Sequence, residues 1–188
     1  MKIIGISGTN GSGKDSLAKI LVEDYGWFFV SGSDILREEL KKRKLPIERE
    51  NLRALSAEWR RKYGRGTIVD RAFKMYEAQQ EKYKGFVTSS LRNPGEAEEI
   101  HRIDGVVVWI DADPKVRYDR IYKRGRSAED NKTFEQFQKE EYDEMHHHGG
   151  DDATLNMAGV KAISDIFIEN NSDDLGDFKK TIKKALGL

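Results

Sequence analysis

Gly8-Thr9-Asn10-Gly11-Ser12-Gly13-Lys14 lies between an apolar run, Ile3 to Ser7, and a segment where Leu17, Ile20, Leu21 and Tyr25 recur at helical spacing. Strand, glycine-rich turn, then lysine at a helix start is the arrangement that cradles phosphates. Glycines let the backbone curl until successive N–H groups face one anion. The helix N-terminus adds the positive end of its dipole. Lys14 is placed to reach the β- and γ-phosphates of a nucleotide. Gly8, Asn10, Gly11, Ser12, Gly13, Lys14, Asp15 and Ser16 are the candidate donor-binding residues. The residue after Lys14 is Asp15 rather than Ser or Thr, so the usual hydroxyl ligand for magnesium is absent there, and Ser16 comes one residue later. A carboxylate beside phosphates needs a cation between them. Asp15 therefore either engages magnesium or serves as an ordinary acidic residue of the first helical turn.

Outward from this loop the chain alternates strands and helices. Ile3–Ser7, Trp27–Ser31, Gly85–Ser89, Val106–Asp111 and Asp165–Glu169 read as buried strands, being short β-branched or aromatic runs between turn signals. Helical spacing appears at Leu52, Leu55, Trp59 and Tyr63, at Ile68, Ala72, Met75 and Tyr83, and at Leu175, Phe178, Ile182 and Leu186. The alternation predicts an α/β fold, a five-stranded parallel sheet with helices on both faces. Gly32 to Lys84 predicts two or three helices broken near Pro46 and Gly64-Arg65-Gly66. Arg124 to Ser164 predicts a helix at about Thr133–Glu144 followed by a polar stretch from His146 to Asn156. Ligands of open α/β sheets bind at the loop face formed by such excursions.

Composition narrows the function classes. The 188 residues suit one domain. Lys+Arg and Asp+Glu are both 33, which disfavours nucleic-acid or membrane-surface binding driven by net charge. The absence of cysteine removes disulfides, thiolate metal sites and cysteine nucleophiles. No apolar run approaches a membrane span, and the N-terminus is a poor signal peptide, so a cytoplasmic protein is expected. His146-His147-His148 with Asp151 and Asp152 is read as a solvated loop, because consecutive histidines point in different directions. Trp27, Trp59 and Trp109 are read as core or helix-face residues. Arg60-Arg61-Lys62 and Lys41-Lys42-Arg43-Lys44 are read as solvated faces.

Four further segments resemble nucleotide kinases. Ser31-Gly32-Ser33-Asp34-Ile35-Leu36-Arg37 is similar to the segment opening the acceptor-binding helices of adenylate kinases. Ser89-Ser90-Leu91-Arg92 resembles the stretch supplying their second acceptor arginine. Arg120-Ile121-Tyr122-Lys123-Arg124, with Arg126, resembles the arginines at the lid. Ile168-Glu169-Asn170-Asn171-Ser172 resembles the base-side loop. The likeness runs from Gly8 to about Leu186 and implies a P-loop kinase fold of the nucleoside-monophosphate kinase type.

By position, the resemblance implies that Ser31, Arg37, Arg92 and Arg126 contact a small nucleotide-type acceptor, Arg37 and Arg92 at its phosphate. Arg120 and Arg124 neutralise the transferring group, with Asn170 on the donor side. Asp34 orders magnesium waters or takes the acceptor proton. Magnesium would draw on Asp15, Ser16 and Asp34. Lys14, Asp34, Arg92, Arg120 and Arg124 form the implied catalytic set. Guanidinium suits this task because it is planar, permanently charged and bidentate toward phosphate. Two departures stand out. Strand three ends in Ser89 where the family usually has an acid, and Asn131–Met145 holds lysines but no arginine. The short lid, Gly125 to about Lys132, is closer to dephospho-CoA kinases and compact nucleotide kinases, and the ending Ser164–Ser172 is similar to that of dephospho-CoA kinases. The expected activity is transfer of the ATP γ-phosphoryl group, with magnesium, to a nucleoside or deoxynucleoside monophosphate by a monomer or homodimer. Dephospho-CoA phosphorylation and a non-catalytic ATP-binding switch are the alternatives.

Overall fold

The computed structural model describes residues 2–125, 132–145 and 150–188. Its centre is a parallel sheet of five strands, β1 (Ile3–Gly8), β2 (Phe28–Ser31), β3 (Phe86–Ser89), β4 (Val106–Asp111) and β5 (Ile166–Glu169). The spatial order is β2-β3-β1-β4-β5. β1 pairs Ile6 with Ser89 on one side and Gly8 with Ile110 on the other. The carboxyl ends of β1 and β3 therefore finish together, which is where an open α/β sheet places its ligands.

Two helices cover one face, α1 (Lys14–Tyr25) and α9 (Leu175–Leu186). Leu17, Leu21, Phe178 and Ile182 meet Ile4, Ile6, Val108 and Ile168 there, in a cluster that includes Trp27. The opposite face carries α5 (Pro94–Arg102) and α8 (Met157–Ala162). Ala97, Ile100, Met157 and Val160 pack on Val107 and Trp109. A third cluster lies among α2 (Gly32–Lys42), α3 (Arg49–Tyr63) and α4 (Thr67–Glu77), where Leu36, Leu40, Leu55, Trp59 and Ile68 are buried. The expected breaks near Pro46 and Gly64–Gly66 fall in the gaps between these three helices. The two remaining helices are α6 (Pro114–Arg124) and α7 (Phe134–Met145).

Several boundaries move for identifiable reasons. Trp27 stays outside β2 because its N–H donates to Leu21 O, closing the end of α1 around Gly26. Asp165 stays outside β5: its carboxylate accepts from Val107 N at 2.7 Å and meets His101 Nε2 at 2.9 Å. Tyr83 is not on the fourth helix, which ends at Glu77. A 3-10 turn at Gln80–Lys82 redirects the chain, and the Tyr83 ring packs edge-on against Phe28 at 5.2 Å. Arg60 is not solvated. It is buried against Glu96, which supplies the charge that an interior guanidinium needs. Trp27, Trp59 and Trp109 are all buried. Among the described residues no helix is long and apolar enough to cross a membrane.

Candidate active site

The phosphate loop is shaped by two glycines that no other residue can replace without rearrangement. Gly8 has φ of 137°, and a Cβ there would lie 2.0 Å from the Ile110 carbonyl oxygen. Gly13 has φ of 107° and caps α1, with Asn170 Nδ2 2.5 Å from where a Cβ would sit. Both are in the left-handed region that side chains avoid. The loop is then fastened at both ends. Thr9 Oγ1 donates to Asp111 Oδ1 at 2.7 Å, tying the loop's start to the end of β4. Asn170 Nδ2 donates to Ser12 O at 2.8 Å, tying its end to the segment after β5. The Ser12 hydroxyl turns inward to Thr9 O at 2.8 Å, so this side chain braces the loop.

The Lys14 ammonium donates to Gly8 O at 2.8 Å and also to Thr9 O. Burial lowers its pKa to about 8, and Arg92 adds to the effect, while Asp15 and Glu144 oppose it. A lysine held this way gains charge when phosphates arrive. Asp15, exposed in the first turn of α1, and Ser16 line the same cavity as Lys14.

That cavity has a volume of about 1050 Å³. It exceeds the roughly 300–1,000 Å³ typical of a site for one small ligand. It joins Asn10, Gly11, Gly13, Lys14, Asp15 and Ser16 to Ser31, Asp34 and Arg37, to Arg92, and to Arg120, Arg124 and Asn170. The residues selected from the sequence are thus brought to one space, apart from Gly8 and Ser12, which shape the loop behind it. Arg126 and most of the expected lid lie outside the described residues, as do the three consecutive histidines. Phe29, Leu36, Ile47, Leu52 and Ile68 are among the apolar residues that line the cavity.

The individual engagements refine the expected roles. Ser31 caps α2 by accepting from Ser33 N at 3.2 Å. Arg37 Nη1 donates to Asp34 Oδ1 at 2.7 Å across one turn of α2. Arg120 is turned toward the segment after β5, donating to Asn170 O at 2.8 Å and Ser172 O at 2.7 Å. Ser89, at the position expected for an acid, is buried with no hydrogen-bond partner for its Oγ among the described residues. Arg92 follows Ser90, which adopts φ of 72°. The Arg92 side chain does not meet Glu96. Its Nη1 donates to Glu144 Oε2 at 2.9 Å, and only its backbone N–H reaches Glu96, at 2.7 Å.

Sequence reasoning missed Arg49, Arg53 and Arg60 of α3 and Glu144 of α7, all of which line the cavity. It also missed Asp111 and Arg117, which support the loop. Arg117 is buried, donates to Ala112 O at 2.7 Å and is paired with Glu141. The spacing of Arg49 and Arg53, four apart on a helix, was an available signal. The partners of Arg60 and Glu144 come from distant segments and left none.

The geometry and chemistry of the phosphate loop fit a phosphate-bearing ligand: Gly11 and Gly13 with positive φ, a helix start and the Lys14 ammonium line one cavity. The oxygens of Asp15, Ser16 and Asp34 are of the type that magnesium takes.

A family model described as AAA domain matches residues 4–144. A UPF0200 protein of Pyrococcus abyssi is 32% identical over 185 residues, covering 96% of this chain and 93% of the relative. Another from Sulfurisphaera tokodaii is 32% identical over 187 residues, covering 99% and 96%. Among solved structures, the shikimate kinase of Bacteroides thetaiotaomicron superimposes with a TM-score of 0.62 at 15% identity, covering 100% of this chain and 99% of that one. The shikimate kinase of Acinetobacter baumannii in complex with shikimate gives 0.54 at 15% identity, covering 100% and 94%. The sheet order and the loop already described are those of the P-loop kinase fold, and the chain belongs to the UPF0200 family of AAA-domain proteins.

Proposed function

We propose that the protein is an ATP-dependent phosphotransferase whose acceptor is a nucleoside or deoxynucleoside monophosphate. One observation carries this reading. A single cavity connects the phosphate loop and Lys14 to Arg92 and to the apolar side chains Phe29, Leu36, Leu52 and Ile68 in its lining. Such a space takes a donor triphosphate at one side and, at the other, an acceptor with an anionic group and a flat apolar body. Phosphoryl transfer asks mainly for positioning and charge stabilisation. Lys14 would follow the charge developing on the transferred group. Arg124 lines the donor side of the cavity, and Arg120 holds the Asn170–Ser172 segment that would flank the donor base. Asp34 is the candidate for receiving the acceptor proton, with Arg37 orienting its carboxylate. Magnesium, when bound among Asp15, Ser16 and Asp34, would neutralise phosphate oxygens.

The test is an acceptor screen with coupled detection of ADP, containing all nucleoside and deoxynucleoside monophosphates, dephospho-CoA and shikimate. ADP release that depends on one monophosphate supports the proposal. Turnover with dephospho-CoA or shikimate alone, or tight ATP binding without turnover on any acceptor, overturns it.

A further inference from the structure

α7 brings three carboxylates to one side, Glu140, Glu141 and Glu144, at the spacing that aligns residues along a helix. Each is met by a cation from elsewhere in the chain. Glu141 holds Arg117. Glu140 accepts from Arg49 Nη1 at 3.1 Å and is paired with Lys132. Glu144 lies between two guanidiniums, accepting from Arg53 Nη2 at 2.9 Å and from Arg92 Nη1 at 2.9 Å. Burial alone would raise the Glu144 carboxyl, but Arg92, then Arg53 and Arg49, hold it below the usual carboxylate range.

Arg49 and Arg53 are one turn apart on α3, and Arg92 reaches the same place from the turn after β3. All three line the large cavity, as Glu144 does. Glu144 is also close enough to the phosphate loop to act on the Lys14 charge. α7 is also held by the buried Phe137, by Phe134 edge-on to Tyr118 at 5.3 Å and by Met145 against the α5 and α8 cluster. Two guanidiniums thus donate to the one carboxylate of Glu144, and Arg49, one turn from Arg53, is paired with Glu140 beside it. A phosphate monoester dianion presents the same forked oxygens with more charge, and guanidinium favours it.

We propose that Arg49, Arg53 and Arg92 form the subsite for the acceptor's phosphate monoester, and that Glu144 fills it as an internal counter-ion which the acceptor expels. The proposal rests on the phosphotransferase reading for the identity of the acceptor. It keeps Arg92 from the expected pair and puts Arg49 and Arg53 of α3 in the place of Arg37, which is paired with Asp34 of its own helix. It also links acceptor binding to breakage of the Glu144 ion pairs that tie α7 to Arg53 and Arg92.

Inorganic phosphate is the probe, titrated calorimetrically into the full chain. Glu144→Gln keeps the shape and removes the competing charge, so phosphate should bind about tenfold more tightly than to the unaltered protein. Arg53→Met in that background should return the affinity by about tenfold or more, which places the ion at α3 rather than in the phosphate loop. Glu140→Gln, at a more exposed position, is the second variant and should also tighten phosphate binding; it carries the test if Glu144→Gln fails to fold. Unchanged or weaker phosphate binding in the charge-removed variants, or tightening that ignores Arg53→Met, overturns the proposal. MgATP is titrated separately into the unaltered protein. If MgATP fails to bind while the phosphate series behaves as expected, the donor reading falls and the subsite stands. If MgATP binds and the phosphate series is flat, the subsite alone falls.

Discussion

Arg60 and Glu96 form an ion pair inside the protein, with Nη2 and Oε1 2.8 Å apart and both side chains at most 2% exposed. Arg60 completes its set by donating to Ala153 O at 2.9 Å and to Ser56 Oγ at 3.2 Å. Glu96 spends its other oxygen on the backbone N–H groups of Arg92 and Asn93, at 2.7 and 3.3 Å. A single carboxylate thus joins α3 to the turn that presents Arg92. The positions of Arg49 and Arg53 relative to Arg92 are set through this pair.

Removing one partner should leave an uncompensated interior charge. Glu96→Gln is expected to cost about 3–5 kcal/mol, the range for breaking a buried pair. Equilibrium urea denaturation measures this. A loss below about 1 kcal/mol would mean that the pair is dispensable to the fold.

Glycine replacements should separate conformational strain from steric exclusion. Gly26 has φ of 68° with nothing within 4 Å of an added Cβ. Gly26→Ala is expected to cost about 1–2 kcal/mol, the penalty of the left-handed conformation alone. Gly8→Ala must in addition move the Ile110 carbonyl, so its thermal midpoint should fall well below that of Gly26→Ala. Equal midpoints would show that the loop relaxes freely.

The lowered Lys14 pKa gives ATP binding a proton signature. With its pKa at about 8, half of the Lys14 amines are neutral near pH 8. Bound phosphates favour the charged form, so binding should take up about half a proton there and almost none near pH 6.5. ATP affinity should accordingly fall as pH rises through about 8. Calorimetry in buffers of different ionisation enthalpy reads the uptake. Lys14→Ala should abolish it and lower turnover by about a hundredfold or more.

Asp15 separates two readings left open by the sequence. If its carboxylate serves magnesium, Asp15→Asn should raise the magnesium concentration needed for half-maximal turnover. Thermal stability without ligand should then stay nearly unchanged. If it only complements the helix dipole, stability should drop by about 0.3–1 kcal/mol and the magnesium titration should not move.

What could be read from the sequence was what lies close together in it. The five strands are short apolar runs bounded by turns, and the phosphate loop is a contiguous motif, so both announce themselves locally. The glycines at 8 and 13 had positions that motif alone could supply. Arg60 was misread because its neighbours Arg61 and Lys62 are solvated and its partner is 36 residues away. Glu144 gave no sign of its role, since its two arginines come from α3 and from the end of β3. Tyr83 shared the helical period by coincidence beyond the end of α4. Ion pairs between distant segments have no spacing rule, and the part of the cavity lined by Arg53, Arg92 and Glu144 is held by them.

The three tryptophans occupy three different packing clusters: Trp27 beneath α1 and α9, Trp109 beneath α5 and α8, and Trp59 among α2, α3 and α4. Each is therefore an optical reporter for one region. Trp59 has an added sensitivity, because the Arg71 guanidinium sits 4.1 Å from its ring centroid. Replacing any two with phenylalanine leaves one emitter, and the three resulting proteins would report the loosening of each layer separately. Emission from Trp59 that shifts before that of Trp27 and Trp109 on heating would identify α2, α3 and α4 as a unit that melts while the sheet remains intact.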